Sequence, residues 1–182
     1  MLVIASVSKV PGMLIDRDSA DRFIDAYMAF LGTLVTAKEK RGKRPTQWLA
    51  LGRTRYEADR DSLSRYRATL RHPDEKMLEA IRLIRLNRWV YLKDTRAYSV
   101  LLPEDGSCAH GVLGLTERLR DIGQGETGSV IKTGVFPLNG RWVCDGLIEG
   151  LVWLGPNIRR DVTTIYQRLR QEGKFSVGPI PV

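Results

Sequence analysis

The chain is poor in cysteine and histidine. Its 182 residues contain two of each, Cys108 and Cys144, His72 and His110. So few cysteines exclude a disulfide framework. Zinc sites show close ligand pairs, and the set Cys108-x-His110 with Cys144 and His72 lacks a second close pair, so no metal is predicted. A thiol nucleophile needs a base and a lowered pKa. Residues i and i+2 of a strand share a face without any chemistry, so Cys108 and Cys144 are read as buried thiols. No apolar run approaches the roughly 20 residues of a spanning helix, and no membrane partner is expected. No basic stretch precedes the apolar start MLVIASV, so a signal peptide is not indicated and a cytoplasmic location is expected. The glycine-rich stretch at 123–128, GQGETG, has neither the P-loop nor the dinucleotide-binding spacing, so no cofactor is predicted and the stretch reads as a connection. No internal repeat or low-complexity segment is present.

What the chain does have is positive charge. The formal net charge is +8. Almost all of that surplus falls in residues 1–90. A field of this kind favours anionic partners such as nucleic acid, and it equally describes a solvated basic face.

The helical signals come first, after a short apolar stretch, Leu2–Val7, that reads as an edge strand. Phe23, Tyr27, Phe30, Leu31, Leu34 and Val35 form one continuous helical face. Asp18 and Ser19 are N-cap candidates, and Gly42 is a plausible stop. Asp16, Asp18 and Asp21 suit a helix start, while Lys38, Lys40 and Arg41 suit a helix end. A second helix is predicted over Glu57–Leu70, with Leu63, Tyr66 and Leu70 inward. A third follows Asp74 to about Asn87, carrying Met77, Ala80, Ile81 and Ile84.

At Arg88 the period turns extended. Trp89–Leu92 and Ala97–Leu102 read as a hairpin, and Cys108–Leu115 as a further strand. A short helix is predicted over Glu117–Ile122. The stretch Ser129–Gly155 is the centre of the fold. Asn139-Gly140 is a strong hairpin signal, because both residues tolerate the positive φ of a type I′ turn. A two-residue loop pairs Leu138 with Arg141, Pro137 with Trp142, Phe136 with Val143 and Val135 with Cys144. One side of the ribbon then carries Phe136, Leu138 and Val143. The other carries Ile131, Val135, Trp142 and Cys144. Both sides are apolar, so the ribbon should be enclosed. Pro137 cannot donate a ladder hydrogen bond, which places it at an edge or bulge. Leu147–Leu154 continues the strand. Gly155-Pro156-Asn157 opens a last helix with Ile158, Val162, Ile165, Tyr166 and Leu169 inward. Residues 174–182 read as an extended tail.

The densest basic cluster is Lys38, Lys40, Arg41, Lys43 and Arg44, followed by Trp48, Arg53 and Arg55. Cations beside an aromatic can hold phosphates while the ring stacks on a base. Arg60, Arg67 and Arg71 share one face of the second helix and can extend that track along a phosphate backbone. They can also be salt-bridge partners for nearby acids. Arg141 and Asp145 lie close together beside the central ribbon, on one strand face. They read as a structural pair or as the mark of a small polar pocket. No catalytic residue is predicted.

The chain resembles a group of uncharacterised bacterial proteins. The resemblance lies in FIDAYMAFLGTLV, RWVYLKDTRAYSVLL, HGVLGLTERL, VFPLNGRWVCDGLI and LGPNIRRDVTTIYQRL, roughly residues 20–173. It implies one continuous domain and no function. The basic 38–44 loop departs from the group's usual pattern, which is more mixed there.

The expected fold is α+β. An N-terminal three-helix segment (helical half 16–88) packs on a curved, barrel-like antiparallel sheet of about five strands (β-rich half 89–173), closed by a C-terminal helix. The expected function is a non-catalytic basic module that binds DNA or RNA in a regulatory role. The alternatives are a protein-interaction or inhibitory factor with a protein partner, and an enzyme with a pocket near Arg141 and Asp145.

Overall fold

A computed structural model describes residues 12–122 and 127–179. The strand expected at Leu2–Val7, residues 123–126 of the glycine-rich stretch and the last three residues of the tail lie outside these. The fold is mixed α and β. Five helices precede the first named strand: α1 (Arg17–Thr33), α2 (Ala37–Lys40), α3 (Pro45–Ala58), α4 (Ser62–Thr69) and α5 (Glu75–Arg82). The sequence pattern predicts three over this stretch.

α1 forms as its spacing predicts. It buries Phe23, Tyr27, Phe30 and Leu31. Each large apolar side chain so buried contributes about 1.5–3 kcal/mol. Its cap is Asp16, whose carboxylate accepts the Ser19 N–H at 2.9 Å. The helix stops at Thr33 rather than running on to Gly42. Thr36 and Glu39 then form a capping box that starts α2.

α3 carries no apolar stripe in the sequence. Its buried positions are Leu49, Gly52, Arg53 and Tyr56, so the helical period is written partly in glycine and arginine. Gly52 lets α3 approach α1 closely, because a Cβ there would lie 2.8 Å from the Leu31 carbonyl oxygen. The helix predicted over Glu57–Leu70 is broken at Asp59–Asp61, which separates α3 from α4. α5 is capped by Asp74 and ends at Arg82, short of Asn87, since the chain is already extended at Arg85.

The strands are β1 (Arg85–Asp94), β2 (Ser99–Pro103), β3 (Ala109–Leu113), β4 (Ser129–Leu138), β5 (Arg141–Cys144), β6 (Glu149–Trp153) and β7 (Phe175–Ser176). Two more helices complete the described chain, α6 (Leu119–Ile122) and α7 (Pro156–Gln171). Strands β1, β2, β3, β5 and β4 form a closed hydrogen-bonded circuit, because the long β1 pairs with β2 on one side and with β4 on the other. β6 adds to β4, and β7 adds to β3. The sheet is mixed rather than wholly antiparallel, since β3 runs parallel to both β5 and β7.

The β4–β5 register is the one the Asn-Gly turn dictates, with Leu138 opposite Arg141 and Val135 opposite Cys144. Asn139 and Gly140 both have positive φ. Pro137 lies past Arg85↔Val135, the last β1–β4 pair, so no β1 carbonyl waits for the N–H it lacks.

The alternation of the strands separates three apolar layers. Inside the circuit lie Trp89, Tyr91, Leu101, Ile131, Val135 and Trp142, with Leu119 of α6 among them. Outside β4 and β5, Phe136, Leu138 and Val143 pack against α1 and α5. Outside β1–β3, Val90, Leu92, Val100 and Leu102 pack under Tyr166 and Leu169 of α7. The ribbon is therefore enclosed on both faces. Ile158, placed inward by sequence, is exposed at the start of α7. Among the described residues, no helix is long and apolar enough to cross a membrane.

Candidate anion-binding surface

The eleven residues that sequence groups as one basic surface fall into three environments. Arg53 is in the core, 1% exposed. Its Nη1 donates to Asp145 Oδ2 at 2.8 Å and to the Leu147 carbonyl at 2.6 Å, and its Nη2 lies 3.4 Å from Glu149 Oε1. Arg53 therefore cannot meet a polyanion at the surface. Its place on α3 facing α1 carries it inward.

Asp145 is correspondingly not the partner of Arg141. It also accepts the Thr133 hydroxyl at 3.0 Å, the Leu147 N–H at 3.0 Å and the Tyr27 hydroxyl at 3.5 Å. Burial, and then the Asp145 charge, push the Tyr27 hydroxyl well above its usual pKa. Arg141 instead donates to the Val177 carbonyl at 3.2 Å. A cleft of about 310 Å³ opens beside Asp145 and Gly146. Yet the Asp145 carboxylate is fully buried and already holds four donors, so it anchors structure rather than offering a lone pair to a ligand.

A second group is ion-paired. Arg55 reaches Glu39 with two donors, at 2.6 and 3.0 Å. Arg67 pairs with Glu75 at 2.7 Å. Arg60 pairs with Glu57 at 2.7 Å and also donates to the Ile84 carbonyl. Arg60 lies in the break between α3 and α4 and Arg71 beyond the end of α4, so the three do not share one helix face. The arginine ridge expected on the second helix is thus mostly a set of salt bridges, with Arg71 left exposed.

The third group is the segment Lys38–Arg44. Lys38, Arg41, Lys43 and Arg44 are exposed and form no ion pair among the described residues. Lys40 donates to the Gly32 carbonyl at 2.8 Å and lies 5.0 Å from the centre of the Trp48 ring. Trp48 is half-buried against the helical core. The one acid of the segment, Glu39, is held by Arg55 and Thr36, which bring its carboxyl down to about 2. It therefore stays charged at neutral pH while its charge is spent on Arg55.

Of the cysteines and histidines, Cys108 and His110 come together. Cys144 is fully buried beside Thr133, and burial pushes its thiol up to about 12. Cys108 is half-buried, not buried, and its Sγ lies 3.4 Å from His110 Nε2. Among the described residues no three His, Cys, Asp or Glu side chains are placed to hold a metal ion.

No protein-family model, curated protein or solved structure matches the chain.

Proposed function

We propose that this protein is a non-catalytic module that binds a polyanion, nucleic acid above all, through Lys38–Arg44 and Trp48. One observation carries the reading. Arg55 takes up the only carboxylate in the segment, so a run of cations is left without internal neutralisation beside an indole. Such a run gains by releasing counterions from a phosphate backbone. Trp48 is only half-buried, which leaves part of the indole for a base to stack on.

The rest of the fold supports one side for such a partner. Partly open five-stranded barrels that bind oligonucleotides use the face of their second and third strands. Here that face is covered by α7, with Tyr166 and Leu169 seated on Val100, Leu102 and Ala109. The helical layer is therefore the contact side in this reading.

A salt titration tests it. Binding to single-stranded DNA or RNA should weaken steeply with added salt. Replacing Lys38, Arg41, Lys43 and Arg44 by Ala should flatten the slope by about 0.7 for each phosphate that is no longer neutralised. Absence of binding at low salt overturns the reading.

A protein-interaction role has its own support. Among the described residues β6 pairs with β4 alone, and its own Val152 and Trp153 are exposed. A protein that co-purifies with the intact chain and is released by Trp153→Ala would favour that role over nucleic acid.

A further inference from the structure

We propose that the cleft between the end of β1 and the last turns of α7 is a binding site for a small phosphate monoester. This does not rest on the Lys38–Arg44 reading, since the two surfaces lie on different layers of the fold. The cleft has a volume of about 440 Å³ and is lined by Lys93, Tyr166, Gln167, Arg170 and Gln171. That size is in the range of small-molecule sites. Its lining contains two cations and two amides and no carboxylate.

Lys93 reaches this cleft through a defect in the strand. Along β1, Trp89 and Tyr91 point into the circuit, while Val90 and Leu92 point toward α7. Strict alternation would send Lys93 inward with Trp89 and Tyr91. The pairing with β2 shifts register between Tyr91 and Lys93. A bulge of this kind re-aims the side chain that follows it. Lys93 emerges on the α7 side, its Nζ 4.9 Å from the centre of the Tyr166 ring.

Arg170 addresses the same ring, with Cζ 6.0 Å from its centre. Two like charges are thus gathered over one buried aromatic, and neither has a carboxylate partner among the described residues. The nearby acids are engaged elsewhere. Glu172 meets Lys174 and Arg168, and Asp94 faces Arg120, Tyr91 and Ser99. An oxyanion in the cleft that both Lys93 and Arg170 line would balance their charges. The guanidinium suits two phosphate oxygens, the ammonium acts as a point charge, and the amides of Gln167 and Gln171, one turn apart, add donors.

Inorganic phosphate is the probe. Lysine acetylation of the full chain, followed by mass spectrometry, should show Lys93 slowed severalfold by phosphate at fixed ionic strength, with Lys38 and Lys43 unaffected. Calorimetry should detect phosphate binding, and Lys93→Gln or Arg170→Ala should weaken it at least about tenfold, the loss of one charge-assisted hydrogen bond. Both positions are exposed, so circular dichroism should show both variants folded. The Ala variant of the Lys38–Arg44 cations should retain phosphate binding even if it loses nucleic acid. An unchanged Lys93 rate, or equal slowing of every lysine, overturns the proposal. So does protection of Lys93 by an oligonucleotide but not by phosphate.

Discussion

Arg53 and Asp145, 92 positions apart in the chain, meet at 2.8 Å, both shielded from solvent. This pair ties α3 to the turn that follows β5, and so joins the helical layer to the strand circuit. Removing Arg53 strands the Asp145 charge in the core, and removing Asp145 leaves Arg53 only the longer contact to Glu149. Arg53→Leu or Asp145→Asn should destabilise the protein by about 3–5 kcal/mol in chemical denaturation. Replacing both by apolar residues of similar volume should cost less than the sum of the two single changes. A single variant losing less than about 1 kcal/mol would show that the pair is not an anchor.

Gly134 is the floor on which Asp145 rests. A Cβ there would meet Asp145 Oδ2 at 2.5 Å and Ile84 Cγ2 at 2.8 Å. Gly134→Ala should therefore destabilise by about 1–3 kcal/mol, as overpacking does. In Asp145→Ala, which removes the first of these obstacles, the same change should cost less. A thermal-melt double-mutant cycle reads this coupling directly.

His110 gives the fold a pH dependence. Burial, with Arg85 nearby, lowers the imidazole from an ordinary 6.5 to about 4. The unfolded chain then binds the extra proton more readily than the folded one between those values. Stability is fully present above about 6.5 and falls as pH drops toward 4. The His110 ring signals should titrate near 4 by NMR, and His110→Gln should flatten stability over that window. A native titration near 6.5 would contradict the burial argument.

The salt bridges predict which arginines do not matter for a polyanion. Arg67→Ala and Arg60→Ala should change nucleic-acid affinity by less than about twofold and leave the salt slope unchanged, because their charges are already neutralised locally. A reduction as large as that from the Lys38–Arg44 changes would place the interface on α4 instead.

Parts of this architecture are legible in the sequence because they are local. The Asn139-Gly140 turn fixes its own register, and α1 writes its buried face in large apolar residues. α3 is hidden because Gly52 and Arg53 stand where a stripe would need apolar side chains. The closing of β1 onto β4 is hidden because strand pairing over that separation leaves no local signal. The parallel neighbours of β3 are invisible for the same reason. For the basic surface, sequence supplies the sign of the charge but not its pairing. Glu39 and Arg55, or Arg67 and Glu75, come together only through the fold. Lys93 is inconspicuous because a bulge, not spacing, decides where it points.

The four tryptophans occupy three kinds of surroundings. Trp89 and Trp142 are sealed in the circuit, with indole N–H groups bonded to the Thr133 carbonyl and the Ser176 hydroxyl. Trp48 sits half-buried under Lys40, and Trp153 is half exposed at the end of β6. The molecule therefore carries its own fluorescent reporters. Red-edge emission follows Trp153, the blue component follows the integrity of the circuit, and quenching of Trp48 alone marks an event at the basic segment.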